Sequence, residues 1–217
     1  MFDIFTREGL IEFLYFLPAL LLSLAIHEFG HAIVAYKLGD RSQKAQGRLT
    51  LSPFAHIDWF GFLSIALIGI GWGKPVMVDD RNFEKRGKGN MLVALAGPMF
   101  NLGLALVVTI IFKILLVVGV FDAVATSSVL AIIFNILLLM IQFNVIFAVF
   151  NLIPLPPFDG SKVLYYFLPY KAKRWMDSIE RYSIWILIVL LYTGLYSYII
   201  LPAYMLVTLV INFILNI

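Results

Sequence analysis

Long apolar runs, interrupted at few points by ionisable residues, constrain this chain more than any other feature. From about Phe13 to Leu38, from Met91 to Gly119 and from Val129 to Phe150, the sequence is apolar over the length needed to cross a bilayer, about 20 residues of helix. Ser183 to Leu201 and Ala203 to Ile217 add an apolar pair split at Pro202, read as a helical hairpin or one broken helix. Lipid offers no hydrogen-bond partner to the backbone, so runs of this kind must be helical. With 62% hydrophobic and 13% charged residues, the chain is also far more apolar than a soluble domain. The expected fold class is an all-α polytopic membrane protein of about five to six transmembrane helices. The 217 residues leave no room for a separate soluble domain. We therefore expect one membrane-embedded domain over residues 1–217, with a core over 13–162 and a C-terminal helical hairpin over 182–217.

The basic residues set an orientation. Arg41, Lys44 and Arg48 precede the apolar segment His56 to Trp72, and Lys74, Arg81, Lys85, Arg86 and Lys88 follow it. By the positive-inside rule both flanks face the cytoplasm, which makes this segment, broken by Asp58, Gly61, Gly69 and Gly71, a re-entrant element between the first two core helices. Arg48 to Ser52 alternates apolar and polar residues before Pro53, a strand signal, and Lys74 to Val78 is a second short strand facing it, so the element reads as β-hairpin-like. Met1 to Glu12, with Phe2 and Phe5 among charges, reads as an interfacial lead-in with no signal-peptide layout. Gly97-Pro98 either starts a helix or kinks it. Asp122 to Ser128 carries no Lys or Arg and reads as an external loop, whereas Lys162 to Arg181 is basic and cytoplasmic, with Tyr166 and Trp175 at the interface.

Within the first span stand His27, Glu28 and His31. A four-residue spacing puts both imidazoles on one helix face, where two neutral nitrogens can share a zinc ion while the adjacent carboxylate takes a proton from the water it activates. An ionisable residue at membrane depth costs about 2.5 to 3.5 kcal/mol on insertion scales and marks function by default. The chain has three histidines and no cysteine, so disulfides, a thiol nucleophile and thiolate ligands are excluded. A catalytic zinc takes three protein ligands and an open position. On spacing alone the third is open among Asp159, His56 and Asp58; Asp159 lies in a turn, Asn151 to Gly160, whose three prolines forbid helix.

His27-Glu28-x-x-His31 in a membrane helix and Asn151-x-x-Pro154-x-Pro156-x-x-Asp159-Gly160 occur in this order, supported by Ser52-Pro53 with His56-Ile57-Asp58, by Gly71 to Val76, and by Gly97-Pro98 with Asn101. Through these motifs, across residues 20–162, the chain resembles the site-2 protease family of intramembrane zinc metalloproteases. The resemblance implies one Zn2+ per chain on His27, His31 and Asp159, Glu28 as acid/base, and Asn151 as a donor to the reacting carbonyl. It implies cleavage within or near transmembrane segments of single-span or membrane-anchored proteins, such as transcription-factor or anti-sigma-type regulators. The location implied is the cell membrane, multi-pass, with the active site toward the cytoplasmic half and no nucleic-acid partner. Relatives follow the Lys-Pro-Val stretch with a further proline and an Asn-Pro pair, where this chain has Met77, Asp79 and Asp80; no PDZ or CBS module fits, as in the compact prokaryotic form.

Unwound substrate needs backbone partners, and the alternating Arg48, Leu49, Thr50, Leu51 and Ser52 are expected to offer a strand edge for it. Asn101 and His56 are expected as further substrate contacts. Two rivals make different demands. A membrane-anchored quality-control protease cutting outside the bilayer would use Glu180 as third ligand, and a non-catalytic metal carrier would string several sites along a path.

Overall fold

The computed structural model describes residues 5–68, 71–124 and 127–215. Helix α1 (Arg7–Lys37) opens on Thr6, whose Oγ1 accepts from the Gly9 N–H at 3.1 Å; Glu8 lies in its first turn and Lys37 in its last, as the helix dipole favours. Short α2 (Ser42–Ala45), a 3₁₀ turn at Pro53–Ala55 and α3 (Trp59–Ile68) follow. Then come α4 (Arg86–Val117) and α5 (Ser128–Asn151), the latter capped by Ser127. The chain closes with α6 (Asp159–Phe167), α7 (Tyr170–Glu180), α8 (Ser183–Thr193) and α9 (Tyr196–Leu215).

Among the described residues, three helices are long and apolar enough to cross a membrane: α1, α4 and α5. These three belong to the expected all-α membrane fold, and shorter apolar helices follow in the C-terminal pair; the expected count of five to six spans goes beyond these three. Helix α8, with 11 residues, is about 16 Å long at 1.5 Å per residue, roughly half the hydrocarbon thickness. The pair turns at Gly194, in the left-handed region at φ 69°, and not at Pro202, which sits inside α9. Pro98 likewise lies within α4, which begins at Arg86.

Helices α1, α4 and α5 pack on one another, α6 packs on α4, and α9 leans on α4 and α5. Small residues make the α1–α4 crossing close: a methyl group on Gly30 would stand 2.9 Å from the Ala96 carbonyl oxygen, and Ala25, Ala32 and Ala35 are buried. One end of the bundle is filled by the rings of Phe112, Phe121 and Phe134, with centroids 5.1 to 5.4 Å apart.

The alternating Arg48–Ser52 segment is not a strand, and the described residues contain none. The buried Arg48 guanidinium donates to the Ala55 carbonyl, the Ser52 N–H donates to Thr50 Oγ1 at 3.1 Å, and the Thr50 carbonyl accepts from His56 Nε2 at 2.9 Å. Local partners thus take up the groups that a ladder would use. One antiparallel bridge, Ile57 with Gly73, joins the two ends of the α3 segment, and Lys74 N–H donates to the His56 carbonyl at 2.8 Å. Gly69 and, of the expected lead-in Met1 to Glu12, residues 1–4 lie outside the described residues, as do Ala125 and Thr126 of the expected external loop.

Candidate metal centre

The C-terminal half of α1 is the half enclosed by α4, α5 and α6, and it carries His27, Glu28 and His31, all buried. Asp159, also buried, arrives as the first residue of α6 from the proline-rich turn that ends α5. That turn is fixed from within. Phe158 N–H donates to Leu155 O at 3.0 Å, the Phe158 ring packs on Phe150 at 4.5 Å, and Gly160 passes so close under the Leu152 carbonyl that no side chain would fit.

His27 Nε2, His31 Nε2 and Asp159 Oδ2 form a triangle with all three sides 3.1 Å. The outer nitrogens decide what these inner atoms are. His31 Nδ1 lies 2.7 Å from the Val93 carbonyl, which only accepts, so Nδ1 carries the proton. His27 Nδ1 lies 2.7 Å from Asn101 Oδ1, and Asn101 is oriented by its amide nitrogen donating to the Ser23 carbonyl at 2.9 Å and to Asn144 Oδ1 at 2.8 Å. In the neutral rings both Nε2 atoms are therefore bare lone pairs, facing each other and a carboxylate oxygen. The third corner, Asp159 Oδ2, is a carboxylate oxygen, which in its ionised form only accepts. Three acceptors converging without a proton between them call for a cation. Tetrahedral zinc with bonds of about 2.0–2.1 Å sets its ligand atoms about 3.3 Å apart, so the triangle fits that ion.

The second layer is polar and closed. Asn144 on α5 donates to its own helix at Met140 O, at 2.8 Å, while presenting Oδ1 to Asn101; both asparagines are fully buried. Phe147 packs on the His27 ring at 4.8 Å. At Gly97, α4 runs directly against the imidazoles, where a methyl group would stand 2.6 Å from His31 Nε2 and 2.7 Å from His27 Cε1.

Glu28 is not one of the three converging groups; its Oε2 accepts from the Val76 N–H at 2.9 Å. The Pro75–Val78 stretch that makes this contact is strapped to the end of α1. Gln43 Nε2 donates to the Met77 carbonyl at 2.7 Å, and Asp40 accepts from Asp79 N–H at 2.9 Å, Ser42 N–H at 3.0 Å and Gln43 Nε2 at 3.1 Å. Burial raises the Asp40 carboxyl, but these hydrogen bonds outweigh it and hold the group below its ordinary range. His27, Glu28, His31, Val76, Asn151 and Asp159 line one cavity of about 770 Å³.

The family model for Peptidase family M50 matches residues 15–194. This chain belongs to that family. The M50 family is the site-2 protease family that the motifs resemble. The M50 chain is 38% identical over 188 residues to YwhC of Bacillus subtilis, a zinc metalloprotease by name, covering 87% of this chain and 84% of that one. It is 31% identical over 187 residues to Rip2 of Mycolicibacterium smegmatis, also a zinc metalloprotease by name, covering 83% of this chain and 68% of that one. No solved structure matches it. The M50 chain is thus a member of a zinc metalloprotease family whose helices suit a membrane.

Of the residues expected at the M50 site, His27, His31 and Asp159 come together, Glu28 stands beside them, and Asn151 lines the cavity with one amide hydrogen given to the Phe147 carbonyl at 2.9 Å. Neither His56 nor Asp58 joins the metal-ligating group. Glu180 lines the same cavity without joining it either. Among the described residues, Arg48, Leu49, Thr50, Leu51, Ser52, His56 and Asn101 do not line the cavity. Arg48 and His56 are buried in the local turn, and Asn101 is enclosed with its polar atoms committed to His27, Ser23 and Asn144. Sequence reasoning missed Val93, Asn144 and the Asp40–Gln43 strap. For Asn144 a signal was present, since an amide at span depth needs a partner.

Proposed function

We propose that this M50 protein is an intramembrane endopeptidase that hydrolyses peptide bonds within or near the transmembrane segments of single-span or membrane-anchored proteins. Membrane-anchored regulators of transcription, including anti-sigma-type proteins, are the substrate class we favour. The observation that carries the reading is the buried triangle of His27, His31 and Asp159 with Glu28 on the same cavity wall, on helices of membrane length. We place the chain in the cell membrane as a multi-pass protein with residues 40–50, 79–90 and 162–180 in the cytoplasm, which puts the cavity toward the cytoplasmic half.

His27, His31 and Asp159 would hold a zinc ion, which when bound would supply the Lewis acidity that polarises a carbonyl and acidifies water. Glu28 takes the proton as water attacks and returns it to the leaving amine. The Val76 N–H holds Glu28 in place through one oxygen and leaves the other to move the proton. Asn151 has a second amide hydrogen for the developing oxyanion. His27, Glu28, His31 and Asp159 are all buried, and electrostatic contacts are stronger away from bulk water.

The test compares Glu28→Gln with the parent protein, purified and assayed against a panel of single-span membrane proteins. Zinc content should stay at one per chain while cleavage falls by about 10²–10⁴-fold. Cleavage at the parental rate by Glu28→Gln would overturn the assignment.

A further inference from the structure

Helix α7 sorts its charges by face. Lys173, Asp177 and Glu180 turn to the cavity, where Lys173 lies 5.2 Å above the Tyr165 ring, and Met176 is buried beneath them. The other face carries Tyr170, Lys171, Arg174 and Trp175, spaced i, i+1, i+4 and i+5, and no acid. Tyr170 is 74% exposed and Trp175 64%, and the Arg174 guanidinium stands 5.2 Å from the Tyr170 ring. Exposed Arg181 and Tyr182 continue the pattern to Ser183, where apolar α8 begins.

We propose that this outer face of α7 docks on anionic phospholipid headgroups of the bilayer that holds the chain. Two observations select that occupant. Cations mixed with large amphipathic aromatics are the chemistry of the headgroup layer, where aromatic bodies meet acyl chains and basic tips meet phosphate. The face also runs directly into an apolar helix, so it lies at the level where the chain enters the membrane. Each basic residue close to an anionic surface strengthens such contact about fivefold. Because the opposite face of α7 walls the cavity, lipid contact would fix that wall. The inference rests on the membrane reading of the chain but not on proteolysis, and its test uses no cleavage.

The chain has no cysteine, so Ser178→Cys gives a unique site on this face for an environment-sensitive fluorophore. The labelled full-length protein is reconstituted into vesicles of phosphatidylcholine alone or mixed with phosphatidylglycerol, each with a trace of headgroup-nitroxide lipid. We expect stronger quenching and a blue-shifted emission in the mixed vesicles, weakened by high salt and lost in Lys171→Glu with Arg174→Glu. Inorganic phosphate added to phosphatidylcholine vesicles should change nothing. Zinc content reports folding; should the double Glu variant lose its zinc, Lys171→Gln with Arg174→Gln is read in its place. Equal quenching in the two vesicle types, or quenching that survives charge removal in a zinc-loaded variant, would overturn the proposal.

Discussion

Helix α4 contains two stretches whose surroundings differ completely. From Val93 to Asn101 it is walled in by α1 and α6, with Ala94, Ala96, Gly97, Pro98 and Asn101 buried. From Gly103 to Val117 it shows Leu106, Val107, Ile110, Ile111, Ile114 and Val117 on its outer side and buries a narrower stripe of Ala105, Val108, Thr109 and Phe112. Between helices in lipid, burying one more apolar group gains little, since acyl chains are as apolar as leucine. What separates inside from outside here is size and polarity. Small residues let backbones close on the imidazoles, and an amide stands only where a partner meets it.

The largest effect expected from that contrast comes from making the same substitution in each stretch. Gly97→Ala puts a methyl group within 2.6 Å of His31 and 2.7 Å of His27, so the two rings or the helix must shift. Overpacking of this kind costs about 1–3 kcal/mol, and here it falls on the metal ligands. Zinc retained after dialysis against a weak chelator should drop steeply. Gly103→Ala meets nothing within 4 Å and should keep its zinc, with stability unchanged or raised by about 0.5–1 kcal/mol. Equal zinc loss in the two variants would remove the distinction between the stretches.

Asn101→Leu tests polarity where Gly97 tests size. The substitution strips His27 Nδ1 of its acceptor and leaves Asn144 Oδ1 and the Ser23 carbonyl without their donor. Loss of a group that orients a metal-ligating histidine costs about 10–100-fold in metal affinity. Competition titration with a zinc chromophore should give a shift of that order, with the helical content by circular dichroism retained. An unchanged zinc affinity would mean that packing against Phe147 alone fixes the ring.

How far the sequence carried this picture differs residue by residue. The spacing of His27 and His31 was readable because helical pitch alone puts them on one face. Asp159 was readable only through its motif, because a proline-rich turn has no period from which to project a side chain. Asn101 was legible as a functional position but not as a partner of His27, since its contact spans two helices whose relative rotation no local pattern encodes. The Arg48–Ser52 alternation misled because five residues of period two fit an extended turn as well as a strand, and the Thr50 hydroxyl, accepting from the Ser52 N–H, supplied the local hydrogen bond that favours the turn. Pro202 misled for a related reason: proline marks where a helix is costly, whereas Gly194 marks where the chain can adopt the left-handed turn that ends α8.

The smallest effect is expected on the outer stripe of α4, and it bears most directly on why apolarity is uninformative there. Ile110 is 46% exposed, while Phe112, two residues on, is buried against the Phe121 and Phe134 rings. In a soluble protein an exposed isoleucine would border water; here acyl chains take that place, so Ile110→Ala exchanges protein–lipid contact for lipid–lipid contact. Stability measured by reversible unfolding in lipid or mild detergent should change by less than about 0.5 kcal/mol. Phe112→Ala opens a cavity that neighbouring helices cannot fill and should cost about 3–5 kcal/mol. A cost of several kcal/mol at Ile110 would mean that lipid does not cover this stripe. It would then be packed in the membrane against another protein surface, and the small-inside, large-outside rule would need a second interface to explain it.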